Sequence, residues 1–168
     1  LPAYAYEIIF VDDGSQDETW ERIQEIANKC PHVKGLTLSR NFGQQAALTA
    51  GMSHATGQAI ITMDSDFQDP PVVIPKMVKK WENGSRIVYG RRKSRFDSLL
   101  KRFTADLYYR TLSISSDVDI PRNVGEFRLI DRLVLNHLKL LGEQARYLRG
   151  MVPWLGFKHA FVDFERPN

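Results

Sequence analysis

Two groups of carboxylates carry most of the chemistry this sequence could perform. Asp64 and Asp66 stand at i and i+2, and Asp12 and Asp13 are adjacent, with Asp17 close behind. If the chain runs extended past Met63, Asp64 and Asp66 point to one side and could share one hard cation. Oxygen-only ligation suits Mg2+ or Mn2+, with substrate phosphates completing the shell. Such an ion bridges diphosphate oxygens and neutralises charge growing on a leaving group. Asp-x-Asp alone is a common pattern. In an aspartyl-phosphatase the first Asp is a nucleophile and a Thr or Val stands four residues on; here that position is Gln68, which weakens the alternative. Asp12-Asp13-Gly14-Ser15 could be no more than a helix cap and a turn. One cap does not require three aspartates in six residues, however. A carboxylate beyond a strand end can accept from a uracil or guanine N–H or from ribose hydroxyls. Neither Gly-x-Gly-x-x-Gly nor a P-loop is present, so the usual nicotinamide and ATP fingerprints are missing.

Alternating strands and helices must position these groups. The apolar run Glu7 to Val11 predicts a buried strand ending in Asp12. A helix follows, with Trp20, Ile23, Ile26, Ala27 and Cys30 at helical spacing. Ser15 and Glu18 have the spacing of a capping box, and Pro31 stops the helix. Val33 to Leu38 reads as a strand, Gly43 to Ala55 as a helix, and Ala59 to Met63 as a strand running into Asp64. Pro71 to Glu82 reads as a helix and Arg86 to Tyr89 as a strand. Further on, Leu99 to Leu112 reads as a basic amphipathic helix and Leu129 to Leu141 as a leucine-rich one. Tyr147 to Val162 reads as helix, turn and strand, with Trp154 in the core. This alternation predicts an α/β domain with a parallel sheet covered on both faces. Ligands of such sheets bind beyond the carboxyl ends of the strands, where both acidic groups fall.

Composition sets outer limits. A chain of 168 residues, 43 % hydrophobic and 26 % charged, fits one globular domain and argues against disorder. The single cysteine, Cys30, excludes an internal disulfide and reads as a small core residue. No apolar run approaches the roughly 20 residues that span a bilayer, and the first residues lack the basic and apolar regions of a signal peptide. The chain is therefore expected to be soluble or bound to a membrane surface. The net charge is +3, but eight Lys/Arg against two Asp/Glu fall between Arg86 and Arg110. Arg91, Arg92, Lys93, Arg95, Lys101, Arg102 and Arg110 form this surplus, which reads as a phosphate-binding and membrane-facing surface or as a solvated face. Nucleic acid is the weaker partner, because Phe96, Phe103, Tyr108 and Tyr109 look like one helix's core side. The four histidines are scattered and take no role.

Together the stretches VDDGSQDET, LSRNFGQQAALTAG, MDSDFQDPP, GEFRLIDR and RYLRGMVPWLGF resemble family 2 glycosyltransferases with the GT-A fold. Their order and spacing are similar to the polyprenyl-phosphate branch, nearest to bactoprenol glucosyltransferases and akin to dolichol-phosphate mannose synthases. The resemblance implies a single GT-A catalytic domain over residues 1–168, a Rossmann-like fold for nucleotide-diphospho-sugar transfer with a mostly parallel sheet. It also implies that the chain lacks the family's first strand and its C-terminal membrane hairpin. Asp12, Asp13 and Asp17 would line the nucleoside pocket. Asp64 and Asp66 would serve the metal and diphosphate, with Gln68 a third ligand. Glu126 stands where relatives carry Asp, near the sugar or acceptor. Arg149, with Arg91 and Arg102 of the basic segment, would meet phosphate.

The implied reaction moves a hexose, glucose from UDP-glucose as first guess, to a polyprenyl phosphate. It would be an in-line displacement with inversion through an oxocarbenium-like transition state. A phosphate monoester has a second pKa near 6 and is already largely anionic at neutral pH, so it needs orientation more than a base. A saccharide hydroxyl acceptor would need one, and Glu126 would serve. The rival reading is a non-catalytic fragment that binds nucleotide sugar or a membrane surface. The partners expected are a nucleotide sugar, UDP-sugar over GDP-sugar, a polyprenyl phosphate, the cytoplasmic membrane face and another copy of the chain.

Overall fold

The computed structural model describes residues 4–66, 68–92, 121, 124–143 and 147–165. The basic helix expected over Leu99 to Leu112, with Lys93, Arg95, Lys101, Arg102 and Arg110, lies outside the described residues. The chain divides into two compact units, residues 1–60 with 131–148, and residues 61–130 with 149–168.

The first unit is built on a parallel pair, β1 (Ile8–Asp12) and β2 (Val33–Thr37), in register from Ile8 opposite Val33 to Asp12 opposite Thr37. Helix α1 (Thr19–Lys29) joins them, and its Trp20 and Ile23 lie against Gly35 of β2. Helix α2 (Gln44–His54) packs on the other side, bringing Gly51 against Val11. Because α1 sits over β2, it leaves part of β1 uncovered. The strand expected to be buried exposes Ile8 and Phe10, and Phe10, Ile23 and Ile26 line an open hollow of about 520 Å³. Cys30 ends α1 with extended backbone and is exposed, not part of the core as expected. The Ser15–Glu18 capping box does not form either. Asp17 Oδ1 accepts from the Thr19 amide at 3.0 Å instead, while the Ser15 amide turns back to Asp12.

Glu7 ties the start of this unit together. Its carboxylate accepts from Lys34 Nζ at 2.7 Å and from the Thr56 amide and hydroxyl at 2.6 and 2.7 Å. These partners, Lys34 foremost, lower its pKa to about 2.

The second sheet has the order β3-β5-β4-β6. Its strands are β3 (Ala59–Thr62), β4 (Ile87–Arg92), β5 (Val124–Asp131) and β6 (His159–Phe164). A 3-10 turn at Pro71–Val73 leads into α3 (Ile74–Glu82), which buries Met77 and Val78. The expected parallel sheet is mixed here: β4 runs parallel to β6 but antiparallel to β5. The leucine-rich helix expected from Leu129 begins later. Leu129 and Ile130 continue β5, and Asp131 caps α4 (Arg132–Leu140) by accepting from the Leu133 amide at 2.8 Å. Helix α5 (Leu148–Trp154) buries Leu148 and Val152, four residues apart. Trp154 falls on the opposite side and is exposed, contrary to its expected place in the core.

The β4–β5 ladder slips at one point. Tyr89 opposes Arg128 and Arg91 opposes Val124, so Gly90 alone stands against Gly125, Glu126 and Phe127. The Phe127 side chain uses the space over Gly90: a Cβ there would lie 2.7 Å from Phe127 Cδ1 and 3.1 Å from Phe164 Cε1. Such irregular pairings bend a strand and re-aim its side chains.

Two outcomes follow from this packing. Gly90→Ala should lower stability by about 1–3 kcal/mol through overpacking, read from urea denaturation. Glu7 contributes stability that is present above its unfolded pKa and is lost as pH falls through its folded value. The native chain should therefore lose more stability between about pH 5 and pH 2 than Glu7→Gln does, measured by denaturation at stepped pH.

Candidate functional site

The first unit holds a hollow of about 430 Å³ beyond the carboxyl ends of β1 and β2. Its walls include Asp12, Asp17 and Trp20 from the first strand–helix junction and Thr37, Arg40 and Asn41 from the second. Asp12 is buried; its Oδ1 accepts from the Ser15 amide at 3.2 Å and its Oδ2 from Thr37 Oγ1 at 3.0 Å. Ser15 first, then Thr37, holds the Asp12 carboxyl below its ordinary pKa, against the opposing effect of burial. Asp17 is lowered likewise by its bonds from Thr19. Both line the hollow, Asp12 buried in its wall and Asp17 exposed at it, and carboxylate acceptors there suit N–H and hydroxyl donors of a nucleoside.

Asp13 does something different. Its two oxygens accept from the Phe42 and Gly43 amides, each at 2.8 Å, and it is not among the lining residues. It fixes the loop that carries Arg40 and Asn41. Gly14 completes the arrangement: with φ at +70°, a Cβ there would lie 2.4 Å from the Arg40 carbonyl carbon. Thr37, Arg40 and Asn41 were given no role from sequence. The rule that sites form beyond strand carboxyl ends points to them as soon as β2 is bounded at Thr37.

In the second unit, the chain beyond β3 carries Asp64, Asp66, Gln68 and Asp69. Asp66 is exposed and its Oδ1 accepts from the Gln68 amide at 3.0 Å. Asp69 is 1 % exposed; its Oδ2 accepts from the Asp64 amide at 3.1 Å. Its Oδ1 is buried without a hydrogen bond, and Arg92 Nη2 stands 3.7 Å away. Burial, and after it the nearby Asp64 charge, raises the Asp69 pKa against the bond from the Asp64 amide. An excess of buried carboxylate oxygen suits a hard divalent cation. Among the described residues no three His, Cys, Asp or Glu side chains are already assembled around a metal position. Mg2+ sites need only one or two carboxylates when substrate phosphates and water supply the remaining ligands, so the donor set fits.

The same unit holds the GEFRL segment on β5. Glu126 is buried, and Thr62 Oγ1 of β3 bonds to its carbonyl. Its carboxylate accepts from Arg128 Nη2 through Oε2 and from Arg149 Nε through Oε1, the latter at 2.9 Å. The structure thus joins two residues picked out separately, Glu126 and Arg149, and adds Arg128. Arg91 is held elsewhere: it makes a two-pronged ion pair with Asp163, its Nε 2.6 Å from Oδ1, and lies over the Phe161 ring. That pairing with Asp163 raises its pKa further. Arg102 lies outside the described residues.

Residues 1–139 match the family model for Glycosyl transferase family 2. The chain belongs to that family. It is 45 % identical over 162 residues to the uncharacterized glycosyltransferase YkcC of Bacillus subtilis, covering 96 % of this chain and 50 % of that protein. It is 42 % identical over 167 residues to the prophage bactoprenol glucosyl transferase homolog of Escherichia coli, covering 99 % of this chain and 55 % of that protein. The bactoprenol glucosyl transferase of Shigella phage SfX is 41 % identical, also over 167 residues, 99 % of this chain and 55 % of its own. The chain spans about half the length of these relatives. Among solved structures it is similar to Staphylococcus aureus TarS 1–349, with a TM-score of 0.60 at 15 % identity over 93 % of this chain and 48 % of that one. Glucosyl-3-phosphoglycerate synthase of Mycobacterium tuberculosis gives 0.58 at 17 % identity, covering 96 % and 61 %. These likenesses establish the α/β fold of GT-A glycosyltransferases.

Family membership sharpens one outcome from the first unit. Asp13→Ala should cost about 1–3 kcal/mol, since two backbone donors lose a charged acceptor. It should also loosen the Arg40–Asn41 loop. Urea denaturation, with amide hydrogen exchange at Phe42 and Gly43, checks both.

Proposed function

We propose that this chain is the catalytic domain of a glycosyltransferase that moves a hexose, glucose from UDP-glucose in the first instance, onto a polyprenyl phosphate. The observation that carries the proposal is the 41–42 % identity to bactoprenol glucosyl transferases over 99 % of the chain. The arrangement of acceptors and cations supports it.

In this reading Asp12 and Asp17, with Thr37, Arg40 and Asn41, bind the nucleoside, and Asp13 fixes their loop. Asp64, Asp66 and Gln68 hold Mg2+ or Mn2+, with Asp69 bracing the Asp64 amide. The bound ion supplies charge neutralisation at the diphosphate leaving group. A lipid phosphate is already an anionic nucleophile, so the protein's task is orientation and charge balance. The attack is a single displacement with inversion at the anomeric carbon. Arg149 meets the acceptor phosphate, with Arg91 and Arg102 as further candidate phosphate contacts, at the cytoplasmic face. No described helix is long and apolar enough to cross a membrane.

In the native polypeptide carrying residues 1–168, Asp66→Ala should reduce sugar transfer into lipid extract about a hundredfold or more, the order lost when one charge-stabilising group is removed. Surviving turnover would sink the metal role. Labelled sugar found only in water-soluble glycan would instead favour a saccharide hydroxyl acceptor. No turnover, with UDP and manganese still bound in calorimetry, would favour a binding module. UDP should bind more tightly than GDP or CDP, and more tightly with manganese than without.

A further inference from the structure

We infer that Glu126 acts as the anchor that aims the Arg149 guanidinium at the acceptor phosphate, and not as a general base. The inference rests on the lipid-phosphate reading above and assigns a role to a residue which that reading leaves without one.

The geometry argues against a base. The Glu126 side chain is 1 % exposed, and each of its oxygens already accepts from a guanidinium. An acceptor hydroxyl would have to reach a 1 % exposed carboxylate past the guanidinium groups already bonded to its oxygens. A general base must come within hydrogen-bond reach of that proton. The same geometry suits an anchor. Arg149 is 48 % exposed on its side chain and spends only Nε on Glu126. Among the described residues nothing else engages its Nη groups, the pair that can grip two oxygens of a phosphate at once.

Exposure points the same way: the Arg149 side chain carries its positive charge at the open side of the cluster, while the Glu126 side chain is enclosed. Arg128 is itself buried, so the exposed member of the trio is Arg149.

The local backbone explains how Glu126 reaches both. It lies in the three-residue stretch of β5 that stands against Gly90 alone. Its carbonyl is tied to Thr62 and its neighbour Phe127 is wedged over Gly90. The main chain at Glu126 and just after it is therefore pinned, and its carboxylate has a fixed origin from which to orient Arg149.

The test is steady-state transfer by the native polypeptide at saturating nucleotide sugar with polyprenyl phosphate varied. Glu126→Gln should raise the KM for polyprenyl phosphate about tenfold or more, with the KM for nucleotide sugar unchanged and kcat within a few-fold of native. Arg149→Ala should raise the same KM. The double variant should be no worse than the worse single one, because the two act as one unit. Glu126→Asp should recover part of the loss. Should Glu126→Gln fail to fold, Arg149→Lys carries the test: it keeps the charge, loses the fork, and should still raise the acceptor KM. A fall of about 10²–10⁴ in kcat at unchanged acceptor KM would identify a base and overturn the anchor. Equal rises in both KM values, or additive single effects, would overturn it as well. Native transfer to lipid phosphate with acceptor KM unmoved in every variant overturns the anchor alone. Native transfer only to a glycan hydroxyl overturns the lipid-phosphate reading and the anchor with it.

Discussion

Backbone amides just beyond a strand end have left one ladder and not yet entered the next, and they need acceptors. In this chain aspartates supply them repeatedly. Asp12 takes the Ser15 amide, Asp13 those of Phe42 and Gly43, Asp66 that of Gln68, Asp69 that of Asp64, and Asp131 that of Leu133. These bonds shape the loops, and the carboxylates proposed to meet ligands sit on the same loops. Several of the proposed site residues would thus be needed in some form merely to close the turns. That is why an Asp-rich loop cannot be read as a site from composition alone, and why position beyond a strand is the more informative feature.

The elements with strong local signals were legible in sequence. The β1-α1-β2-α2-β3 alternation is as expected and its strands lie within a residue or two of their expected places, while α1 and α3 begin later than Ser15 and Pro71 implied. The misreadings have a common physical cause: burial depends on which neighbour covers a face, and one sequence does not name the neighbour. Ile8 and Phe10 are as apolar as any strand core, yet α1 lies over β2 and leaves them open. Trp154 obeys helical periodicity set by Leu148 and Val152, and its bulk gave the opposite expectation. Leu129 and Ile130 suit a helix by composition, but the Asp131 cap decides where that helix begins.

The candidate site was legible to a similar degree and for similar reasons. Asp12 ends β1, and Asp64 and Asp66 follow β3, the chain positions that the strand pattern gave them. What spacing could not convey was pairing across long stretches of sequence: Glu126 with Arg149, Arg91 with Asp163, Asp13 with the loop at Phe42. Each pairing changes what the side chain is free to do. Arg91 and Arg149 are alike in sequence. In the fold, Arg91 is gripped by an aspartate through two of its nitrogens and stacked on a ring, while Arg149 keeps its fork open.

The chain does not complete its two units in order. The first is made of residues 1–60 and 131–148, the second of 61–130 and 149–168. On a ribosome, the carboxylate-bearing strands β1 and β2 emerge long before α4, which completes their unit. Between them comes most of the other unit, itself unfinished until β6. Neither can close as an autonomous body while the other is being synthesised, and contacts so distant in sequence are slow to form. A chain whose two units finish late keeps unpartnered surface on view during synthesis, the situation in which nascent chains call on chaperones. The interleaving also means that no single cut of the polypeptide releases either unit whole.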